Sequence, residues 1–166
     1  AISSNGGTVV TNSTFNNNTA NGKKSGYGGA ISTGSGGSVV TNSTFNNNTA
    51  NGQTYGYGGA IYTTDIGCSV TVTNSTFKDN TANGQKNGYG GAISTGSGGS
   101  VTVVDSKFKD CQASSGGSDI YASGKVTLMG NDYDNKTNYT TPGEVYGRSI
   151  IDVVPGTFAE VQLMID

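Results

Sequence analysis

From Ser69 to Thr73 and again from Ser100 to Val103, apolar and polar residues alternate, with Val70, Val72, Val101 and Val103 set against Ser69, Thr71 and Thr102. This two-residue period marks a strand with one buried face, written in β-branched residues that suit a pleated surface. Residues that favour helices are scarce. The pattern therefore predicts short strands.

These strands sit inside a repeat. Gly28-Gly29-Ala30-Ile31 returns as Gly58-Gly59-Ala60-Ile61 and Gly90-Gly91-Ala92-Ile93, with Ala1-Ile2 as a first copy and Gly116-Gly117-Ser118-Asp119-Ile120 as a degenerate one. A second element alternates with it: Asn12-Ser13-Thr14-Phe15, Asn42-Ser43-Thr44-Phe45, Asn74-Ser75-Thr76-Phe77 and Asp105-Ser106-Lys107-Phe108. Its phenylalanines lie 30, 32 and 31 residues apart, and Tyr133 takes the aromatic position last. Equivalent isoleucines are 27 to 32 residues apart, which fits a solenoid whose corners absorb length differences while its strands keep register.

The expected fold is all-β, a right-handed parallel β-helix of about five coils over residues 1–130. A segment 131–166 follows and serves as a C-terminal β cap or as donated strands. At a strand spacing of ~4.8 Å the column would stand only ~24 Å tall. Each coil is expected to hold three strands: one at Ala-Ile-Ser-Thr, one from the valines to the phenylalanine, and one at Asn-Thr-Ala. Four inward ladders follow: Ile2, Ile31, Ile61, Ile93 and Ile120; Val10, Val40, Val72 and Val103; Phe15, Phe45, Phe77 and Phe108; Ala20, Ala50, Ala82 and Ala113. Asn18, Asn48 and Asn80 are expected to form a corner ladder whose amides bond along the stack, since buried amides need partners. Asn21-Gly22, Asn51-Gly52, Asn83-Gly84, Gly36-Gly37 and Gly98-Gly99 are expected to supply corners.

Composition narrows the function. Charged residues make up 12% of the chain and the net charge is −2, which gives no electrostatic reason for a nucleic-acid or anionic-membrane partner. A load of 28 glycines would suggest low complexity if the period were absent. No apolar run is long enough to form a transmembrane segment and no signal-peptide pattern opens the chain, so a soluble, already processed protein is expected. There is no histidine or tryptophan, and two cysteines, Cys68 and Cys111, are too few for a disulfide framework or a zinc site. No metal and no other cofactor is expected.

The motifs Gly-Gly-Ala-Ile and Phe-x-x-Asn, the latter seen as Phe15-Asn16-Asn17-Asn18, Phe45-Asn46-Asn47-Asn48 and Phe77-Lys78-Asp79-Asn80, resemble the repeats of chlamydial polymorphic outer-membrane proteins. Similar repeats mark adhesin-like surface proteins of bacteria and methanogenic archaea. The resemblance spans roughly residues 1 to 130. It implies a right-handed parallel β-helix and a role in adhesion or envelope structure, with no catalytic residues. Phe108-Lys109-Asp110-Cys111 departs from the motif and ends the asparagine ladder, and no outer-membrane barrel follows.

Seven Asn-x-Ser/Thr sequons, at Asn12, Asn17, Asn42, Asn47, Asn74, Asn135 and Asn138, are glycosylation candidates. A repeat rich in Asn, Ser and Thr also generates this motif by composition alone. Tyr27, Tyr57 and Tyr89 precede the double glycine in three coils; their stacked rings form either a sugar-binding platform or an aromatic ladder supporting a glycine corner. Rows of outward threonines (Thr11, Thr41, Thr73 and Thr14, Thr44, Thr76) resemble those of ice-binding solenoids, but Val104 and Lys107 interrupt them. Asp65, Asp79, Asp105, Asp110 and Asp119 are scattered over different coil positions, which counts against a polysaccharide lyase or hydrolase. Asp132 and Asp134 beside Asn131 read as a calcium turn or as a solvated loop. Cys68 and Cys111 fall at different places around the coil, so a bridge within the column is not expected; Cys111 reads as a buried thiol replacing Asn.

The most apolar stretches come last, at 149–154 and 157–165, where Ile150, Val153, Phe158, Val161, Leu163 and Ile165 are the candidate assembly residues. A strand donated head-to-tail would not close on itself and would build a filament. With a chain that opens inside its motif, the expectation is a segment of a longer surface protein or a first coil covered by another subunit. The functional expectation is a secreted or cell-surface structural protein without enzymatic activity that self-associates. The rival is an adhesin domain that binds host-cell or environmental glycans.

Overall fold

A computed structural model describes residues 1–133 and 145–153, and every strand among them pairs in parallel with its equivalent one repeat away. The coil winds to the right, the hand that a right-twisted strand imposes on a parallel crossover. The first coil runs through Ile2–Ser4, Thr8–Thr11, Thr14–Asn16, Thr19–Gly22 and Ser25–Tyr27. Among the described residues, stacking the coils makes five sheets, each named by its most regular residue. The isoleucine and valine sheets have six strands each, the phenylalanine sheet five, the alanine sheet four and the tyrosine sheet three.

Each coil thus holds up to five strands, where three were expected. The valine and phenylalanine runs are separated because Asn12, Asn42, Asn74 and Asp105 adopt left-handed backbone, with φ of 49°, 49°, 46° and 48°. Asn17, Asn47, Asp79 and Asp110 do the same on the far side of the phenylalanine strand, with φ of 55°, 53°, 54° and 52°. Asn and Asp are the non-glycine residues that enter this region most readily, so the asparagines are structural corners in their own right. The fifth strand, at Ser25–Tyr27, Tyr55–Tyr57 and Asn87–Tyr89, was not anticipated.

The four ladders stack in the expected register, Ile2–Ile31–Ile61–Ile93–Ile120, Val10–Val40–Val72–Val103, Phe15–Phe45–Phe77–Phe108 and Ala20–Ala50–Ala82–Ala113. Val145 extends the first, Leu128 the second and Tyr133 the third. Isoleucines, valines and phenylalanines form one core with Ala30, Ala60 and Ala92. Ala50 and Ala82 are fully buried but stand apart from that core. The tyrosine sheet packs against the alanine sheet backbone to backbone. A Cβ on Gly56 would lie 2.4 Å from the Asn83 carbonyl oxygen, so no residue larger than glycine fits there.

Asn18, Asn48 and Asn80 form the expected ladder. The Asn18 and Asn48 side-chain amides donate to Oδ1 of the next asparagine at 2.8 and 3.0 Å, and Asn80 Nδ2 donates to the Phe45 carbonyl at 3.0 Å. A parallel ladder links the Ser43, Ser75 and Ser106 hydroxyls to backbone N–H groups one coil below, and Asn131 takes over at its end. Each such bond contributes about 1 kcal/mol, and leaving a buried member unpaired costs more.

The Asn-Gly pairs are not the corners. Asn21-Gly22, Asn51-Gly52 and Asn83-Gly84 end strands of the alanine sheet, and their glycines have no left-handed φ. Gly36, Gly37 and Gly98 do turn there, as expected. Beyond residue 130 the column continues: Asp132–Tyr133, Val145–Tyr146 and Ser149–Val153 add rungs to the phenylalanine, isoleucine and valine sheets.

Candidate functional site

The double-glycine corner brings tyrosines together on one flank of the column. Tyr27 stacks on Tyr57 with ring centroids 5.6 Å apart, and Tyr57 on Tyr89 at 5.9 Å, so the row read from the sequence exists. It is wider than the sequence indicated. Tyr62 packs at 5.0 Å from Tyr27 and 5.6 Å from Tyr57, and Tyr55 lies 6.0 Å from Tyr57. Tyr89 meets Tyr121 at 4.5 Å, and Tyr121 stacks on Tyr146 at 4.7 Å. These rings form one continuous network from the first coil to the sixth rung of the isoleucine sheet.

Tyr62, Tyr121 and Tyr146 share an outward column of the isoleucine sheet with Ser32 and Ser94. The signal that could have found them was the residue after each inward isoleucine, and last after Val145, where tyrosine replaces serine in the third, fifth and sixth strands of the sheet. Burial pushes the Tyr62 phenol up to about 12, with smaller contributions from Tyr27 and Tyr57. Burial also raises Tyr57 and Tyr121, with neighbouring phenols adding to it. The face therefore stays uncharged at ordinary pH: ring faces for apolar contact, hydroxyls for hydrogen bonds. Tyr27 is the most open of the row, at 41% exposure.

Next to this flank, a groove of about 440 Å³ runs across three coils. It is lined by Asn21, Asn51 and Asn83, one per coil, with Lys23, Gln53 and Gln85 beside them.

The other sequence candidates are dispersed. Asn12, Asn17, Asn42, Asn47 and Asn74 are all exposed; Asn47 donates to Asn17 and Asn74 to Asn42, each at 2.8 Å. Asn135 and Asn138 lie outside the described residues, as do Asp134, Phe158, Val161, Leu163 and Ile165. Ile150 packs against the core opposite Val126, and Val153 pairs with Met129 in the last strand of the valine sheet. Thr11, Thr41 and Thr73 align but give way to Val104 and Met129, and Thr14, Thr44 and Thr76 to Lys107.

Asn131 is committed to the corner, accepting from the Ser106 N–H and donating to the Val103 carbonyl, both at 2.9 Å, which takes it out of the calcium reading. Cys68 and Cys111 are free thiols. Cys111 occupies the asparagine column, 3.9 Å from Asn80 Nδ2, and its burial holds the thiol far above its ordinary range. Among the described residues no helix is long and apolar enough to cross a membrane, and no group of three His, Cys, Asp or Glu side chains is placed to hold a metal.

A family model described as the right handed beta helix region matches residues 1–148. The chain belongs to this family. The match runs well past residue 130, as does the stacking of the strands. No curated protein and no solved structure matches the chain. Membership in the right-handed beta helix family accounts for the coil and its ladders, while the tyrosine flank and the amide groove are features of this chain's own residues.

Proposed function

We propose that the protein is a secreted or cell-surface structural module of adhesin type, a rigid column that meets carbohydrate through its tyrosine flank. One observation carries this reading: the continuous, uncharged network of stacked tyrosines from Tyr27 to Tyr146. Sugar rings dock on aromatic faces through their apolar C–H surfaces while hydroxyls bond to phenols and amides, and this flank offers all three. The likeness of the repeats to chlamydial polymorphic outer-membrane proteins supports an adhesive role. A role without catalysis is supported by the corner duty of Asp79, Asp105 and Asp110, whose left-handed backbone explains them structurally. The exposed Asn12, Asn17, Asn42, Asn47 and Asn74 support glycosylation of the module itself.

Glycan-array binding by the intact chain and by Tyr57→Ala tests the reading. Saturable binding that drops at least tenfold in the variant is expected; equal signals from both proteins would overturn it.

A second reading, head-to-tail assembly, has its own observation. Among the described residues, the first strand of the valine sheet pairs only with the second, and the last, Ser149–Val153, only with Lys125–Met129. A second copy placed end to end would satisfy both edges. Thr8 N–H bonds toward the second coil, so by strand alternation Val9 N–H faces the open edge. Negative-stain microscopy should show filaments of the intact chain and short particles of Val9→Pro. Particles alone in both samples would remove this reading.

A further inference from the structure

We infer that the tyrosine flank is a site of oxidative cross-linking, in which a one-electron oxidant of the peroxidase class, acting with hydrogen peroxide, joins Tyr89 to Tyr121 through a carbon–carbon bond. The inference is independent of the carbohydrate reading: it concerns what the rings can become, and a link would staple one coil to the next.

The fold does not require an unbroken row of phenols. Tyr27, Tyr57 and Tyr89 stack in the tyrosine sheet, and their column stops where Gly116 stands opposite Tyr89. The ring network goes on regardless. Tyr121 enters from the neighbouring isoleucine sheet, lies against Tyr89, and passes the stack on to Tyr146. A Cβ on Gly116 would meet only the Tyr89 ring, at 4.0 Å, so the glycine leaves open space beside that ring.

Geometry singles out one pair. Among the described residues, Tyr89 and Tyr121 combine the shortest centroid separation of the network, 4.5 Å, with its largest interplanar angle, 34°. Tyr121 and Tyr146 are nearly as close, at 4.7 Å, but lie 9° from parallel, and Tyr27 and Tyr57 are 5.6 Å apart at 8°. Two phenols coupled ortho to ortho meet edge to edge, with centroids slightly under one strand spacing apart. Parallel faces must swing out of the stack to reach that arrangement, whereas a tilted pair has begun to turn its edges together. Both rings are half-buried, which leaves one side of each free to complete the turn.

The stack also supplies a route. Tyr27, at 41% exposure, is the ring most open to an oxidant, and centroid steps of 5.6, 5.9 and 4.5 Å lead from it through Tyr57 and Tyr89 to Tyr121. Tryptophan, which gives up an electron more readily than tyrosine, does not occur in the chain. The free thiols, the other natural traps, lie elsewhere: Cys68 just before the valine-sheet strand Ser69–Thr73, and Cys111 buried in the asparagine column.

In the coupling, each phenol gives up one electron and its hydroxyl proton. The two phenoxyl radicals pair their electrons in a bond between ring carbons ortho to the oxygens, and the hydrogens on those carbons move to the oxygens. The two electrons and two protons released reduce one hydrogen peroxide to two waters. The product ties residues 32 positions apart, one full turn of the coil, and restricts the unfolded chain as a disulfide would.

The intact chain, dilute and at neutral pH, would be treated with a haem peroxidase and hydrogen peroxide. Trypsin leaves Tyr89 in peptide 87–107 and Tyr121 in peptide 110–125, each with a single tyrosine, so a link between them is unambiguous. Mass spectrometry of the monomer recovered from a denaturing gel should find the two peptides joined with the loss of two hydrogens, together with dityrosine fluorescence and a raised denaturation midpoint. Tyr121→Phe, which keeps the ring and lacks the phenol, should abolish the joined peptide. Tyr27→Phe should slow its formation at least threefold, and an unchanged rate would overturn the route along the stack. Joined peptides confined to covalent dimers, links between other tyrosines in place of this one, or hydroxylated monomer alone would overturn the inference.

Discussion

Two aromatic stacks run along this column. In the buried one, Phe15, Phe45, Phe77 and Phe108 repeat at 4.9, 4.8 and 5.0 Å with planes within 6° of parallel. In the exposed one, tyrosine spacings range from 4.5 to 6.0 Å and interplanar angles from 8° to 34°. The backbone register is equally strict under both, so the difference lies in the side chains. Phenylalanines fill a closed space at one position per coil, where close packing leaves a single arrangement. Tyrosines come from two neighbouring sheets and lean across the glycine corner between them. Regularity marks the stack that holds the fold; irregularity marks the one that faces outward.

Substitutions can break the comparison. Phe77→Ala should have the largest effect, about 3–5 kcal/mol in chemical denaturation, because it opens a cavity between two fully buried rings. Gly56→Ala should cost about 1–3 kcal/mol by forcing apart the alanine and tyrosine sheets, which meet there backbone to backbone. It should also disorder the tyrosine flank, seen as a loss of near-ultraviolet dichroism. Tyr57→Ala should cost only about 1 kcal/mol, since its ring is only half-buried. An equal loss from Tyr57→Ala and Phe77→Ala would erase the distinction.

The smallest effect is a matter of pH. The Tyr62 phenol, ordinarily near 10.0, is held at about 12, so the folded state retains a proton that the unfolded chain releases. Its contribution is fully present below pH 10, and stability should decline as pH rises from 10 toward 12. Tyr62→Phe should flatten that slope in denaturation midpoints measured across the range.

The repeat itself made the ladders legible. A residue type returning at a nearly fixed interval in a β-patterned run has one place to go, so Ile31, Val72, Phe45 and Asn48 could be placed before any coordinates. Tyr133 could be placed by the same logic, as the aromatic that completes the phenylalanine stack. Strand number was harder, because the break at Asn12 depends on a backbone angle that the letters Asn-Ser-Thr do not reveal. The strand at Ser25–Tyr27 was hidden for a related reason: Ser-Gly-Tyr has no alternating apolar pattern, and its burial comes from contact between two backbones. Tyr62, Tyr121 and Tyr146 are hidden in the sequence because they interrupt a serine column, and a repeat shows itself in what is constant. Asn21 was legible as a residue and misplaced as a corner, since Asn-Gly reads as a turn until its φ is known.

The backbone bonds that join one coil to the next, such as Gly28 N–H to the Tyr57 carbonyl and Gly58 N–H to the Tyr89 carbonyl, all point along the stack. Force applied to the two ends of such a column is carried by every seam between coils in series, so the seams give way a coil at a time. Each coil that peels away gives up ~4.8 Å of height and frees about 30 residues, on the order of 100 Å of extended chain. A tether built this way lengthens some twentyfold locally before it breaks. Such a column converts a sudden tug into a sequence of small yields.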